Sequence, residues 1–100
     1  MRDYPTFSGQ MLERYFRQQA IESHRYTTIG NYWNRKGENE IDIILVNEID
    51  KTLRIGEIKR QAKNIDMELL RTKADYFLSV YPELQEYKQE LCALSLDDII

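Results

Sequence analysis

The stretch NEIDIILVNEIDKTLRIGEIKR, residues 39–60, decides the fold of this chain. It contains two apolar runs, residues 41–46 and residues 53–59, which are joined by a short polar segment. Two apolar runs separated by a few turn-forming residues predict a β-hairpin. The charged residues that interrupt these runs are Asp42, Glu57 and Lys59.

The register of the hairpin decides which residue faces Asp42. If the turn is centred on Ile49 and Asp50, the numbers of paired residues sum to 99 and Asp42 faces Glu57. If the turn is centred one residue later, the sum is 101 and Asp42 faces Lys59. In either register, the alternation of side chains predicts that all three charged residues share one sheet face, near one end of the hairpin.

Two interpretations fit this charged cluster. Carboxylate oxygens are the ligands that hard divalent cations such as Mg²⁺ prefer, so the cluster is compatible with a metal site. An ordinary cross-strand ion pair, worth about 0.2–1 kcal/mol, explains the same residues. Acidic residues are depleted in strands, yet here they stand among Ile, Leu and Val. The hairpin alone leaves both interpretations open.

Length and composition predict one small folded domain. The chain has 100 residues, of which 42% are hydrophobic and 31% are charged, as in globular proteins rather than disordered ones. The net charge is −3 and the isoelectric point is about 5.2. This acidic balance counts against tight, non-specific DNA binding through charge alone.

The cysteine content and the hydropathy pattern indicate the compartment. Cys92 is the only cysteine, which excludes a disulfide within the chain, and its apolar neighbours predict that it is buried. We find no signal peptide and no membrane-spanning run in the sequence. We therefore expect a cytoplasmic location and no membrane partner.

Two amphipathic helices are predicted to flank the strands. The first begins at Phe7, and the second follows an N-cap at Asp66 or Asn64 and ends at Pro82. Their apolar residues recur at steps of three and four. The predicted stripes contain Phe7, Met11, Leu12, Tyr15, Phe16 and Ala20 in the first helix, and Leu69, Leu70, Ala74, Phe77, Leu78 and Tyr81 in the second.

Two further strands complete the predicted sheet. Residues 26–33 are rich in β-branched and aromatic side chains, and residues 91–94 form a short apolar run that is typical of an interior strand. The predicted domain spans residues 7–96. We interpret residues 1–6 as a linker and residues 97–100 as a truncated C-terminal tail.

The hairpin strands are apolar on both faces. One face is predicted to contain Ile41, Ile43, Leu45 and Ile58, and the other Ile44, Val46, Leu53 and Ile55. A sheet that is apolar on both faces needs a covering layer on each. We therefore predict an α/β fold with an αβββαβ core, in which a mixed four-stranded sheet has helices on both faces and the fourth strand returns through a helical crossover.

This element order resembles that of the PD-(D/E)XK nuclease superfamily, whose core is the restriction-endonuclease-like fold. The superfamily motif is an acid on one strand followed by Asp/Glu-x-Lys on the next, and it is matched by Asp42 and by residues 57–59. The runs WNRKGENEIDII and GEIKR also look like the nuclease-like C-terminal domain of unknown function of archaeal-type AAA-class ATPases. The similarity covers nearly the whole chain. The proline that gives the motif its name is replaced by Ile41.

The resemblance implies a DNA endonuclease that hydrolyses phosphodiester bonds with Mg²⁺ or Mn²⁺. Asp42 and Glu57 would be the metal ligands, joined by the backbone carbonyl of Ile58. Lys59 would orient the attacking water and stabilise the negative charge that builds on the phosphate. Glu13, on the first helix, matches a glutamate that many members place beside the metal.

Other residues near the motif are weaker candidates. Glu40 precedes Asp42 by two residues and is a further acidic candidate. Basic residues that flank the motif could contact the DNA backbone, although simple solubilising charge explains them equally well. These are Arg35, Lys36, Arg60 and Lys63.

The resemblance also implies partners. It predicts DNA as one partner and an AAA-class ATPase module in the same polypeptide as another, although these residues contain no GxxxxGK[ST] phosphate loop. A catalytically silent module, which keeps the fold to hold DNA or to dock on the ATPase, is the alternative function. The sequence leaves a homodimer open.

Overall fold

A computed structural model describes residues 9–33 and 39–98 of the chain. These residues form two α-helices and four β-strands in the predicted order αβββαβ. The elements are α1 (Gly9–Ser23), β1 (Thr28–Tyr32), β2 (Ile41–Asn47), β3 (Thr52–Ile58), α2 (Met67–Val80) and β4 (Lys88–Leu94). The predicted fold class, an α/β fold with a mixed four-stranded sheet, is confirmed.

The sheet follows the order of the chain, β1-β2-β3-β4. The pairs β1–β2 and β2–β3 are antiparallel, and β3–β4 is parallel. A parallel neighbour cannot be reached by a tight turn, so the chain crosses over through α2 before it returns as β4. The predicted helical crossover is therefore present.

The hairpin turn selects one of the two predicted registers. Ile43 pairs with Gly56, which corresponds to the sum of 99 and to a turn centred on Ile49 and Asp50. Asn47 organises this turn, because its side-chain oxygen accepts the backbone N–H groups of Ile49 and Asp50 at 3.0 and 2.9 Å. An Asn side chain that bonds to the backbone two or three residues later is a common turn device. The alternative register is excluded.

A β-bulge interrupts the pairing of β1 with β2. Gly30 pairs with Ile44, but Tyr32 pairs with Ile41, so β2 has one residue more than β1 between these pairs. The extra residue changes the alternation of side chains. Ile41 therefore packs in the same cluster as Ile44, and its predicted place on the face of Ile43 is wrong.

Each face of the sheet is covered by one helix, as predicted. The α2 side buries Leu70, Ala74, Phe77 and Leu78 with strand residues, and the α1 side buries Leu12, Phe16 and Ala20. The outer members of the predicted stripes are only partly covered, because each helix presents a narrow face to the sheet. Met11, Tyr15, Leu69 and Tyr81 keep 36–47% of their surface exposed.

The helix ends agree with the capping signals within the described residues. Asp66 is the N-cap of α2 and accepts the backbone N–H groups of Glu68 and Leu69. Pro82 follows the end of the helix, as predicted. Phe7, the predicted start of the first helix, lies outside the described residues. No helix in the ranges 9–33 and 39–98 is long and apolar enough to span a membrane.

Gly56 is required where β2, β3 and β4 approach one another. A Cβ atom at this position would lie 2.8 Å from Cys92 Sγ and 2.9 Å from Ile43 Cγ2. We expect Gly56→Ala to lower the free energy of unfolding by about 1–3 kcal/mol, because a packed core resists added volume. Urea denaturation measures this loss.

Gly30 provides the matched control for this substitution. It also lies in a strand, and a Cβ atom there would meet nothing within 4 Å. Gly30→Ala should therefore leave the stability unchanged or raise it slightly. If both substitutions changed the free energy of unfolding equally, the need for glycine at position 56 would come from backbone freedom and not from packing.

Candidate functional site

The candidate site lies where β2 and β3 separate. Their backbone pairing extends to Ile43 and Gly56. Beyond this pair, the Asp42 carboxylate accepts the backbone N–H of Ile58, with 2.8 Å between Oδ2 and N. A strand N–H points in the plane of the sheet toward its neighbour. The Asp42 carboxylate therefore lies between the two strands, at the open end of the hairpin.

Glu57 is a buried acid with two lysine partners. It retains only 5% of its surface in contact with solvent. Its Oε1 atom lies 3.3 Å from Nζ of Lys73, and its Oε2 atom lies 3.9 Å from Nζ of Lys59. Lys73 belongs to α2 and is itself mostly buried, whereas the Lys59 side chain is 46% exposed. Lys59 can therefore contact both Glu57 and a molecule in solution.

Electrostatics links Asp42 to this pair of lysines and to Glu57. Burial raises the pKa of Asp42, and the neighbouring charge of Glu57 raises it further. The hydrogen bond from Ile58 and the charges of Lys59 and Lys73 act in the opposite direction. The raised pKa of Asp42 means that the nearby lysines and the hydrogen bond do not fully compensate its negative charge.

Glu13 reaches the same end of the sheet from α1. Burial raises its pKa, and the charges of Asp42 and Glu40 add to this effect, while Arg17 opposes it. Glu40 is exposed and directly precedes β2. The structure thus brings the predicted residues together. We call Glu13, Asp42, Glu57, Lys59 and Lys73 the strand-end cluster.

The donor set of the strand-end cluster fits a divalent cation in part. Asp42 and Glu57 offer carboxylate oxygens, which suit Mg²⁺ or Mn²⁺. The N–H and C=O groups of one strand residue point to the same neighbour, so the Ile58 carbonyl is directed to the side on which its N–H meets Asp42. In the described ranges, no three His, Cys, Asp or Glu side chains are arranged to share a metal ion. Glu13 is thus near Asp42 without completing a three-carboxylate set.

Of the four residues predicted to contact the DNA backbone, the structure describes two. Arg60 and Lys63 are exposed in the segment between β3 and α2, directly after the strand-end cluster. Lys63 lies in a short 3₁₀-helix, Ala62–Asn64. Arg35 and Lys36 lie outside the described residues.

Lys73 is the site residue that the sequence analysis missed. A signal was present, since Lys73 stands three residues after Leu70 and four before Phe77, which places it on the buried side of α2. A lysine on an apolar stripe needs a buried partner or a route to solvent. Only the fold shows that the partner is Glu57.

A large cavity lies elsewhere in the molecule. Its volume is about 720 Å³, and it opens near the hairpin turn, at the other end of the sheet from the strand-end cluster. Two of its charged lining residues are already paired, with 3.2 Å between Arg54 Nε and Glu90 Oε1, although the Nε atom has no hydrogen bond of good geometry. We assign the chemistry to the strand-end cluster, because it brings carboxylates and lysines together at one end of the sheet.

Comparison with known proteins places the chain in a family. A family model described as archaeal and bacterial proteins of unknown function matches residues 2–74. The chain belongs to this family. No curated protein and no solved structure matches the chain.

The matched part of this archaeal and bacterial family includes every residue of the strand-end cluster, from Glu13 to Lys73. It ends within α2 and does not reach β4. The family description names no activity. The function of its members must therefore be argued from the site.

Asp42 is predicted to destabilise the folded domain at neutral pH. Because its folded-state pKa lies above the ordinary value, the group contributes stability below that value and the contribution is lost as pH rises through the raised pKa. Asp42→Asn keeps an oxygen that can accept the Ile58 N–H and removes the buried charge. We expect this variant to raise the free energy of unfolding by about 0.5–2 kcal/mol at neutral pH. Urea denaturation in EDTA measures the gain.

The pH profile makes this prediction specific. The stability difference between Asp42→Asn and wild type should be small near pH 3.5, just below the ordinary carboxyl pKa of about 3.9, and should grow as pH rises. Part of the gain will come from Glu13, because the charge of Asp42 raises its pKa. Asp75→Asn, at an exposed position on α2, should show no such growth. A variant less stable than wild type at neutral pH would contradict the prediction.

Proposed function

We propose that this domain is a metal-dependent phosphodiesterase of the PD-(D/E)XK type that cleaves DNA. The observation that carries the proposal is the convergence of Asp42, Glu57 and Lys59 at the end of β2 and β3. The αβββαβ order and the mixed sheet support it. So does the position of the motif residues within the matched part of the family.

Each residue has a proposed role. Asp42 and Glu57, with the Ile58 carbonyl, hold Mg²⁺ or Mn²⁺, and Glu13 adds negative charge from α1. A divalent cation held there would supply a Lewis acid that neutralises charge on a phosphodiester oxygen. Lys59 has an amine near Glu57 and an exposed side chain, so it can orient the attacking water and stabilise charge on the phosphate.

Lys73 contacts this group of residues from α2. Its amine lies 3.3 Å from Glu57 Oε1, and such a partner stabilises a buried carboxylate. We propose that Lys73 holds the Glu57 carboxylate in place while its other oxygen faces Lys59. Lys73 is thus a positioning residue, whereas Lys59 acts on the substrate.

The proposed context is that of a domain in a larger protein. We propose that it acts in the cytoplasm on DNA and belongs to the C-terminal part of an AAA-class ATPase, as the resemblance of WNRKGENEIDII and GEIKR implies. The exposed Arg60 and Lys63 follow the site directly and could contact DNA phosphates.

A silent DNA-binding or docking module is the second candidate. Two observations favour it. Glu57 is already engaged by two lysines, and in the ranges 9–33 and 39–98 no three potential ligands share a site. In this alternative the cluster is a structural ion pair that the fold has retained.

A cleavage assay separates these two functions. Supercoiled and branched DNA are incubated with the protein and Mg²⁺ or Mn²⁺, and calorimetric titration of the metal is run in parallel. The nuclease proposal predicts metal binding and metal-dependent nicking, both of which Asp42→Ala removes. DNA binding with no cleavage under any of these conditions would favour the silent module.

A further inference from the structure

Tyrosine rings gather between the edge strand β1 and α2. The ring centroids of Tyr32 and Tyr76 are 6.3 Å apart, and those of Tyr32 and Tyr81 are 6.2 Å apart. Phe77 lies beneath them, 5.2 Å from Tyr32 and 5.0 Å from Tyr81, and is buried. We call Tyr32, Tyr76 and Tyr81 the tyrosine cluster.

The tyrosine cluster is more exposed than core packing requires. Tyr76 and Tyr81 each keep 40% of their surface in contact with solvent, and both rings contact Tyr32. Scattered exposed hydrophobic residues are ordinary, but contiguous exposed aromatic surface marks a binding site.

The cluster lies beside the proposed phosphodiester site. Tyr32 pairs with Ile41, the residue that precedes Asp42. Glu57 stands two strands away from β1, a distance of about 10 Å across the sheet. On α2, Tyr76 follows Lys73 by three residues, so the two lie about one turn apart on the helix. A nucleic-acid strand held at the strand-end cluster would therefore have its neighbouring nucleotides at the rings.

The charge of the chain favours stacking over phosphate contact. With a net charge of −3, the domain has little of the positive field that holds duplex DNA in proteins. Aromatic side chains bind unpaired bases through their faces, and this contribution does not need a basic surface. Paired bases inside a duplex do not offer these faces.

We propose that the tyrosine cluster is a stacking platform for unpaired nucleobases. This inference rests on the proposed function and names its substrate class, which is single-stranded DNA or branched DNA with unpaired bases next to the scissile phosphate. Intact duplex is a poor substrate for this arrangement. A protein segment that covers the same rings is the competing occupant.

Binding measured without metal tests the platform independently of cleavage. A labelled single strand, an abasic strand of the same length and a blunt duplex are titrated in EDTA and followed by fluorescence anisotropy. We expect the base-containing strand to bind at least about tenfold more tightly than either comparison ligand, because each stacked base adds to the affinity.

Paired variants identify the rings responsible. Tyr76→Leu should weaken binding of the base-containing strand severalfold and leave the abasic strand unaffected, whereas Tyr76→Phe should retain the affinity. Tyr15→Leu, an exposed tyrosine on α1, is the matched control and should have no effect. Circular dichroism checks that each variant is folded.

The outcomes separate this inference from the proposed function. Equal binding of base-containing and abasic strands, or no binding of either, overturns the platform and leaves the rings to a protein partner. Cleavage without base dependence would uphold the nuclease and overturn the platform. Base-dependent binding without metal-dependent cleavage would uphold the platform and overturn the nuclease.

Discussion

Replacement of Lys59 by methionine is expected to reduce metal-dependent DNA cleavage by about 10²–10³-fold, the usual effect of removing one charge-stabilising donor from an active site. Methionine retains the apolar length of the side chain and removes the ammonium. The Lys59 amine lies 3.9 Å from Glu57 and the side chain is nearly half exposed, so its loss should remove charge stabilisation with little effect on packing. Single-turnover cleavage of a branched DNA at saturating Mg²⁺ measures the rate.

Lys88→Met is the matched control for this experiment. Lys88 is exposed at the start of β4, at the other end of the sheet from the strand-end cluster, so its loss should leave cleavage unchanged. Asp42→Ala should abolish cleavage and metal binding together. Cleavage that survives both Lys59→Met and Asp42→Ala and remains with the protein on further purification would contradict the assigned roles.

Replacement of Lys73 by methionine is expected to lower the free energy of unfolding by about 3–5 kcal/mol, the range for breaking a buried ion pair. Glu57 would remain buried, and its nearest cationic partner, at 3.3 Å, would be gone. Lys59 remains 3.9 Å from Glu57 and compensates part of its charge, so the loss should fall at the lower end of this range. Urea denaturation at pH 7 measures it.

Two further variants make the result specific to the pair. Arg71→Met, at an exposed position on the same helix, should change stability by less than about 0.5 kcal/mol. Glu57→Gln combined with Lys73→Met should recover most of the loss, because no buried charge then remains without a partner. A Lys73→Met protein as stable as wild type would show that Glu57 does not depend on α2.

Periodic patterns made much of the fold predictable. The alternation around the hairpin, the capping Asp66 and the terminating Pro82 are local signals, and each produced the expected element. The hairpin register was limited to two choices, and the side chain of Asn47 selects between them. β4 begins three residues earlier than predicted. Its first residues, Lys88 to Glu90, are polar and exposed, so the apolar run that predicted the strand did not include them.

The features that escaped prediction depend on contacts between distant parts of the chain. The bulge that moves Ile41 to the α2 face arises where β1 meets β2, and no local pattern marks it. Lys73 and Glu57 are separated by 16 residues, so their pairing follows from the crossover of α2. Asp42, Glu57 and Lys59 could be proposed early because their motif lies within one hairpin.

The hydrogen bond between Asp42 and Ile58 has a consequence for reading related sequences. Because this side chain joins two strands where backbone pairing has ended, a relative that cuts nothing would still need the side-chain oxygen of an aspartate or asparagine at that position. Lys59 contributes less to stability, since its amine lies 3.9 Å from Glu57 and its side chain is nearly half exposed. The residue found at position 59 is therefore the better marker for sorting active relatives from inert ones.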